Sequence, residues 1–432
     1  MPDADGDSPA AIVTAVLCAP PGSQHDAEVN NDARVGSVAE HQGARNAGRS
    51  SLVALLALVL GAANLRLAVT SIGPVLTEIR AGLGMSGAVA GLLTSLPVLC
   101  FATVGLAAPR LARRFGATPV IVAGLLVLTA GLAIRPFMPF TAGFVALSVL
   151  TLAGIAVVNV LLPVIVKERF PDRVGAMTGI YSVALNLGAT IAAAATVPVT
   201  RAFGDDWRLG LAVWALAAAL AVPPWLALRR DRITPPAGIA GAAPVRVARN
   251  PIAWALAVYF GLQSTSAYVI IGWLPQIYRD AGLSAEKAGV LFAVTSLLGV
   301  PLPLLLSAFA GRMRSQSAIA GVLGLFGIAG YAGLWAGPAA APWLWAVLLG
   351  VVNCAFPLAL TMIGLRGSSP AVVVRLSAFA QGVGYLIAIP GPILVGLLHD
   401  RTGGWRVPLA LMVLLIVPQM IAGIIAGRDR QV

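Results

Sequence analysis

Residues 52–78 read LVALLALVLGAANLRLAVTSIGPVLTE, and their only charge before the closing Glu78 is Arg66. About 20 predominantly apolar residues make a helix long enough to cross a bilayer. This run exceeds that length and is far too apolar for the surface of a soluble domain. Eleven further runs of the same kind follow, at about 86–108, 117–135, 140–164, 174–199, 208–228, 251–277, 286–309, 317–336, 342–364, 375–398 and 406–426. Lipid offers the backbone no hydrogen-bond partner, so each run is expected to be helical. Pro97, Pro163, Pro198, Pro223, Pro301, Pro357 and Pro390 fall inside the runs and predict kinks.

Composition supports the same reading. Of 432 residues, 58% are hydrophobic and 11% are charged, where soluble domains carry about 25% charged residues. The mean hydropathy is +0.89. A water-soluble enzyme, a disulfide scaffold and a DNA-binding domain are excluded. The net charge of +12 suggests nucleic acid at first. The basic residues, however, lie in short segments between apolar runs and form no stripe, so no nucleic-acid partner is expected. With the N-terminus inside, 20 of the 29 Lys and Arg residues fall on the inner side and 8 on the outer. That bias predicts a multi-pass protein of the cell (inner) membrane with both termini cytoplasmic. Cys18, Cys100, Cys354 and the three histidines show no metal spacing, and no cofactor or metal is expected.

Residues 1–50 hold seven acids and three arginines among scattered Gly, Pro, Asn and Ser, the composition of a disordered tail. A Pro-, Gly- and Arg-rich linker at 229–250 separates two halves, 51–228 and 251–427. The halves echo one another. Trp207-Arg208 and Trp405-Arg406 are 198 residues apart, as are Ser86 with Ala90-Gly91 and Ser284 with Ala288-Gly289. Asn159-x-x-x-Pro163 matches Asn353-x-x-x-Pro357. The expected fold class is an all-α membrane protein of 12 transmembrane helices in two six-helix repeats. Such repeats hold a small-molecule solute near the bilayer midplane.

The segment after the second run, Gly105-Leu-Ala-Ala-Pro-Arg-Leu-Ala-Arg-Arg114, resembles the loop motif of the major facilitator superfamily, Gly-x-x-x-Asp-Arg-x-Gly-Arg-Arg. Gly105, Arg110, Arg113 and Arg114 fit it, whereas Pro109 replaces the Asp and Ala112 the second Gly. Longer stretches are similar to one branch, the cyanate permease and 2-nitroimidazole transporter family. They are Asn64-Leu-Arg-Leu-Ala-Val-Thr-Ser-Ile-Gly-Pro74, Gly91-Leu-Leu-Thr-Ser-Leu-Pro-Val-Leu-Cys-Phe101, Gly261-Leu-Gln263, Trp273-Leu-Pro275 and Arg279-Asp-Ala-Gly-Leu-Ser284. Gln381-Gly-Val-Gly-Tyr385 and Leu398-His-Asp-Arg-Thr-Gly-Gly-Trp405 complete the set. The resemblance covers about residues 52–426 and implies a transporter.

Arg66 is the sharpest single feature. An arginine at the bilayer centre costs about 2.5–3.5 kcal/mol on insertion scales, and no Asp or Glu lies deep in any run. Its countercharge is therefore expected to be the solute, and its planar fork of donors suits a small planar anion or a nitro group. The competing reading has Arg66 bonding carbonyls of a kinked neighbour. Thr70 shares its face at i+4, and Asn64 lies close in sequence. Gln263, with Ser264 and Tyr268 on a neighbouring face, Asn159, Asn353, Tyr181 and the stripe Ser377, Gln381, Tyr385 supply further polar groups. Each alone also reads as helix–helix glue; as a set they are candidate solute contacts. Glu78, Asp280 and Glu286 read as solvated outer-edge charges. Trp207, Trp405 and Trp343 read as interfacial anchors.

The expected function is secondary transport of a small polar or anionic solute, cyanate-like or nitroimidazole-like, by alternating access in a monomer. Two alternatives stay open: a drug or nitroaromatic efflux pump, which would lower accumulation in expressing cells, and a non-transporting membrane sensor, which would bind without flux. No nucleophile–base pair suggests an enzyme.

Overall fold

The computed structural model describes residues 52–228, 247–302, 305–306, 313–368 and 370–432. The expected tail and most of the expected linker lie outside the described residues. Among the described residues the secondary structure is helical throughout, with no strand. Eleven helical stretches are long and apolar enough to cross a membrane. Spans 1–7 are Leu52–Leu83, Gly87–Val104, Ala117–Phe137, Thr141–Arg169, Ala176–Ala202, Trp207–Ala227 and Pro251–Asp280. Spans 9–12 are Ser317–Ala336, Pro342–Arg366, Arg375–Thr402 and Arg406–Ala426. The expected eighth span begins as the helix Ala285–Leu297, and several of its later residues lie outside the described ones.

The internal repeat is visible as repeated hydrogen bonding. Ser86 Oγ accepts from Val89 N and Ser284 Oγ accepts from Lys287 N, so both serines cap the helix that follows in the same way. The turns before them match too, with Met85 N donating to Arg80 O and Leu283 N donating to Tyr278 O. At the other end of the spans, Arg169 Nη2 donates to Leu228 O at 3.4 Å and Arg366 Nε donates to Ala426 O at 3.2 Å. Each arginine closes the carbonyl end of the last helix of its half, where intrahelical partners run out. The face that carries Arg366 and the C-terminus is called the terminal face below, and the opposite one the distal face.

Two expectations about helix ends change. The segment Gly105–Arg114, expected as a loop, belongs to one helix running Gly87–Phe115. Pro109 removes a single backbone donor, and Arg113 and Arg114 in the last turn complement the negative helix end. Gly116, at φ 90°, then stops the helix. The proline kinks also differ among themselves. Pro163 and Pro198 sit inside unbroken helices, whereas span 10 breaks between Val352 and Ala355 and span 11 between Ala388 and Pro390.

Span 1 carries the break that matters most for the site. The helix over 52–70 gives way to a turn, then a 3-10 turn at Gly73–Val75, then a second helix, Leu76–Leu83. Pro74 causes it: proline has no N–H and disfavours α geometry in the residue before it. Ile72 N turns to Val69 O instead of Ala68 O. The freed Ala68 carbonyl accepts from Arg135 Nη2 at 3.1 Å. Arg135 is 0% exposed and its guanidinium also lies 5.9 Å from the centre of the Phe144 ring. A buried cation is tolerable here because it meets the carbonyl end of a helix. Arg135→Met leaves that carbonyl without a partner, which costs about 1–3 kcal/mol. We expect a lowered thermal unfolding midpoint in detergent, with Arg135→Lys falling between the variant and the wild type.

Candidate functional site

Arg66 lies four residues before the end of the first helix of span 1 and is half-buried. Among the described residues no carboxylate pairs with it and its guanidinium makes no hydrogen bond. The carbonyl-bonding reading of Arg66 therefore finds no partner here. Three tyrosines from three other spans lie within electrostatic reach of its charge: Tyr181 of span 5, Tyr268 of span 7 and Tyr385 of span 11. All three are half-buried. Tyr385 packs edge-on against Phe260 of span 7 at 5.1 Å and tilted against Phe101 of span 2 at 6.1 Å. It thus stands between the two halves. The group combines one fixed cation, three phenols and flat apolar walls. It offers donors to an acceptor-rich solute and no fixed anion to repel one.

The other expected residues divide. Ser377 and Gln381 extend the Tyr385 stripe, with Gln381 Nε2 donating to Ser377 Oγ at 2.6 Å. Gln263 is 3% exposed and donates to Ser264 Oγ at 2.7 Å. Asn159 is half-buried in span 4 and Asn353 half-buried at the break of span 10. Thr70 shares the Arg66 face as expected, but its Oγ1 donates to Arg66 O at 2.9 Å and is engaged with backbone. Asn64 has a structural post. Its Nδ2 donates to Leu60 O at 2.9 Å and to Ala217 O at 3.1 Å, tying span 1 to span 6. Tyr268 was legible only as a polar residue near Gln263, because one tyrosine in an apolar run carries no signal of its own. Phe101 gave no signal either, since an apolar ring in a span looks like packing.

The distal face is where the halves meet through charge. Arg279 of span 7 grips Glu78 with both nitrogens, at 2.9 and 2.7 Å. Arg80 Nη2 donates to Asp400 at 2.9 Å, and Asp400 also accepts from Gly87 N at the start of span 2. Arg201 pairs with Glu286. Asp280 accepts from Trp405 Nε1 at 2.8 Å and lies 3.6 Å from His399 Nε2. Glu78, Asp280 and Glu286, expected as solvated outer-edge charges, keep about a third of their side-chain surface exposed and are partnered as well. The tryptophan expectation changes as well. Trp207 is buried, and Trp405 stacks at 4.2 Å on His399 and 5.7 Å from Trp273. Only Trp343 stays half exposed, at 50%. Backbones approach closely beneath these pairs. A Cβ on Gly91 would stand 2.3 Å from Pro392 O, so span 2 meets span 11 without a side chain between them.

Comparison with known proteins fits this geometry. The model of the Major Facilitator Superfamily matches residues 58–372. A 2-nitroimidazole transporter of Escherichia coli is 36% identical over 391 residues, covering 89% of this chain and 98% of that protein. A cyanate transport protein of the same organism is 34% identical over 370 residues, covering 85% and 95%. A crystal structure of a point mutant of the nucleoside transporter NupG superposes with a TM-score of 0.72 at 14% identity, covering 88% of this chain and all of that one. That last likeness speaks for the fold alone.

Exposed ion pairs are worth only about 0–1 kcal/mol each, so the distal face is held shut by a set of weak contacts. Asp400→Ala removes two of them. Thr94 of span 2 is buried against Gly272 of span 7, and we expect a cysteine placed there, in a background without native cysteines, to react faster with an impermeant maleimide added from the distal side.

Proposed function

The chain belongs to the major facilitator superfamily, in the branch of the cyanate and 2-nitroimidazole transporters, and from that premise we propose that its cargo binds at Arg66. It is a multi-pass membrane transporter of small solutes and not an enzyme. The solute is a small polar or anionic molecule, cyanate-like or nitroimidazole-like. It sits between the two six-helix halves, with Arg66 as its countercharge and Tyr181, Tyr268 and Tyr385 as hydrogen-bond partners. Gln263, Gln381, Asn159 and Asn353 extend the lining. The single observation that carries this is a half-buried guanidinium without a carboxylate among the described residues, with three tyrosines of other spans within electrostatic reach. A charge inside a span is expensive unless something compensates it, and a ligand anion or nitro group is the chemistry that does.

The protein works as a monomer in the cell (inner) membrane with cytoplasmic termini, so the distal face is the outer one. The charge bias of the segments between spans supports that orientation. Alternating access then closes the distal face by the ion pairs described above and opens the terminal face, and the reverse.

The test is uptake of labelled cyanate and of a labelled 2-nitroimidazole in cells expressing the protein. Arg66→Gln is expected to abolish uptake while the protein still inserts, and full transport by that variant would refute the site. Tyr268→Phe and Tyr385→Phe each remove one hydrogen bond, about 0.5–1.5 kcal/mol. Each should raise KM by a factor of about 2 to 12 and leave the maximal rate near that of the wild type.

A further inference from the structure

The break in span 1 is held from both sides. From its own half, Arg135 occupies the Ala68 carbonyl. From the opposite half, Arg279 does more than pair with Glu78: its Nη1 also donates to Pro74 O at 3.2 Å. Pro74 is the residue that makes the break, and Glu78 is one turn beyond it on the second helix. One guanidinium therefore spans the 3-10 turn and the helix after it. The same turn lies directly on span 7, since a Cβ on Gly73 would stand 2.4 Å from Ile271 O. Arg66 is eight residues before Pro74, on the helix that ends where the break begins. Tyr268 lies on the same span 7, eleven residues before Arg279. The contacts of Arg279 thus connect the two segments that carry the cation and one of its phenols.

We propose that Arg279 is a positioning residue for the Arg66 site, holding the broken turn of span 1 from the opposite half and thereby setting the distance between Arg66 and Tyr268 while the distal face is shut. This rests on the reading of Arg66 as the solute-binding residue. The Arg135 contact lies within one half and persists when the halves rock, whereas the Arg279 contacts cross between halves and part when the distal face opens. Solute affinity then differs between the two conformations through the turn, without any contact between Arg279 and solute. A ligand shifts a two-state equilibrium only as far as its affinities for the two states differ, and this link supplies such a difference.

The decisive comparison separates the carbonyl bond from the ion pair. Glu78→Gln removes the pair but leaves Arg279 able to donate to Pro74 O. Arg279→Met removes both, and Arg279→Lys keeps one compact charge that can satisfy one acceptor at a time. The full-length protein is reconstituted in liposomes, and exchange of labelled cyanate and, in parallel, of labelled 2-nitroimidazole is measured, with the thermal midpoint of every variant recorded. Glu78→Gln should change KM by less than about threefold. Arg279→Met should raise it about tenfold, the loss of one charge-assisted bond at a positioning contact, with a smaller change in maximal exchange rate. Arg279→Lys should fall between them and match the wild type in thermal midpoint. Equal KM shifts in Glu78→Gln and Arg279→Met, or a loss of maximal rate alone, would overturn the proposal while leaving the Arg66 site intact. Exchange that survives Arg66→Gln, or a wild type that exchanges neither solute, would remove the site reading and the proposal with it.

Discussion

A guanidinium inside a membrane span has to be compensated, and how each arginine of this chain meets that constraint orders the structure. Several of them, Arg80 and Arg208 included, meet it with backbone carbonyls at places where helices end or break. Arg169 and Arg366 close the last helices of the two halves. Arg135 and Arg279 hold the broken turn of span 1. Hydrocarbon has no water to satisfy an orphan carbonyl, so a helix end buried among spans and a buried arginine solve each other's problem. Arg66 differs from these. It lies within a regular stretch of helix, where the carbonyls are already bonded, and three tyrosines of other spans lie within electrostatic reach of it. The proposed solute site rests on this difference between Arg66 and the carbonyl-bonded arginines.

The geometry also explains why span 1 is broken while spans 4 and 5, which carry prolines too, are not. Prolines in spans 4 and 5 remove single hydrogen bonds and the helices continue. In span 1, glycine precedes the proline, and the turn is pressed onto the backbone of span 7. Two arginines satisfy carbonyl groups of the break and of the turns beside it. The break divides span 1 into a part that carries the cation and a part that carries Glu78, the carboxylate of a cross-half ion pair. A rigid continuous helix would tie these together as one lever. A broken one lets contact with the opposite half be felt locally.

Much of this was readable in the amino-acid order. Long apolar runs pointed to the helical class, and eleven of the twelve expected spans are described as helices long enough to cross a membrane; a single arginine in the first run suggested the proposed site. The offset between Ser86 and Ser284 proved to be a repeated helix cap, which spacing alone hinted at. What could not be read were contacts that depend on which helices touch. Glu78 and Arg279 are two unremarkable charges far apart in sequence, and only the folded chain makes them an ion pair between the halves. Phe101 looked like an ordinary packing residue and Tyr268 only like a polar neighbour of Gln263, because what each contributes depends on residues of other spans. Asn64 looked like a site residue because of its nearness in sequence, yet its amide faces span 6. The segment Gly105–Arg114 looked like a loop because charge and proline usually end helices, whereas here the charges favour the helix end they occupy.

The most direct measurement is an experimental structure of the protein soaked with selenocyanate, a linear anion whose selenium can be located by anomalous scattering. The expected result is an anomalous peak between the halves, with the anion within hydrogen-bond reach of the Arg66 guanidinium and of at least one of Tyr181, Tyr268 and Tyr385. A peak confined to the protein surface, or an Arg66 bonded to backbone carbonyls with the anion elsewhere, would contradict the claim that the solute is its countercharge.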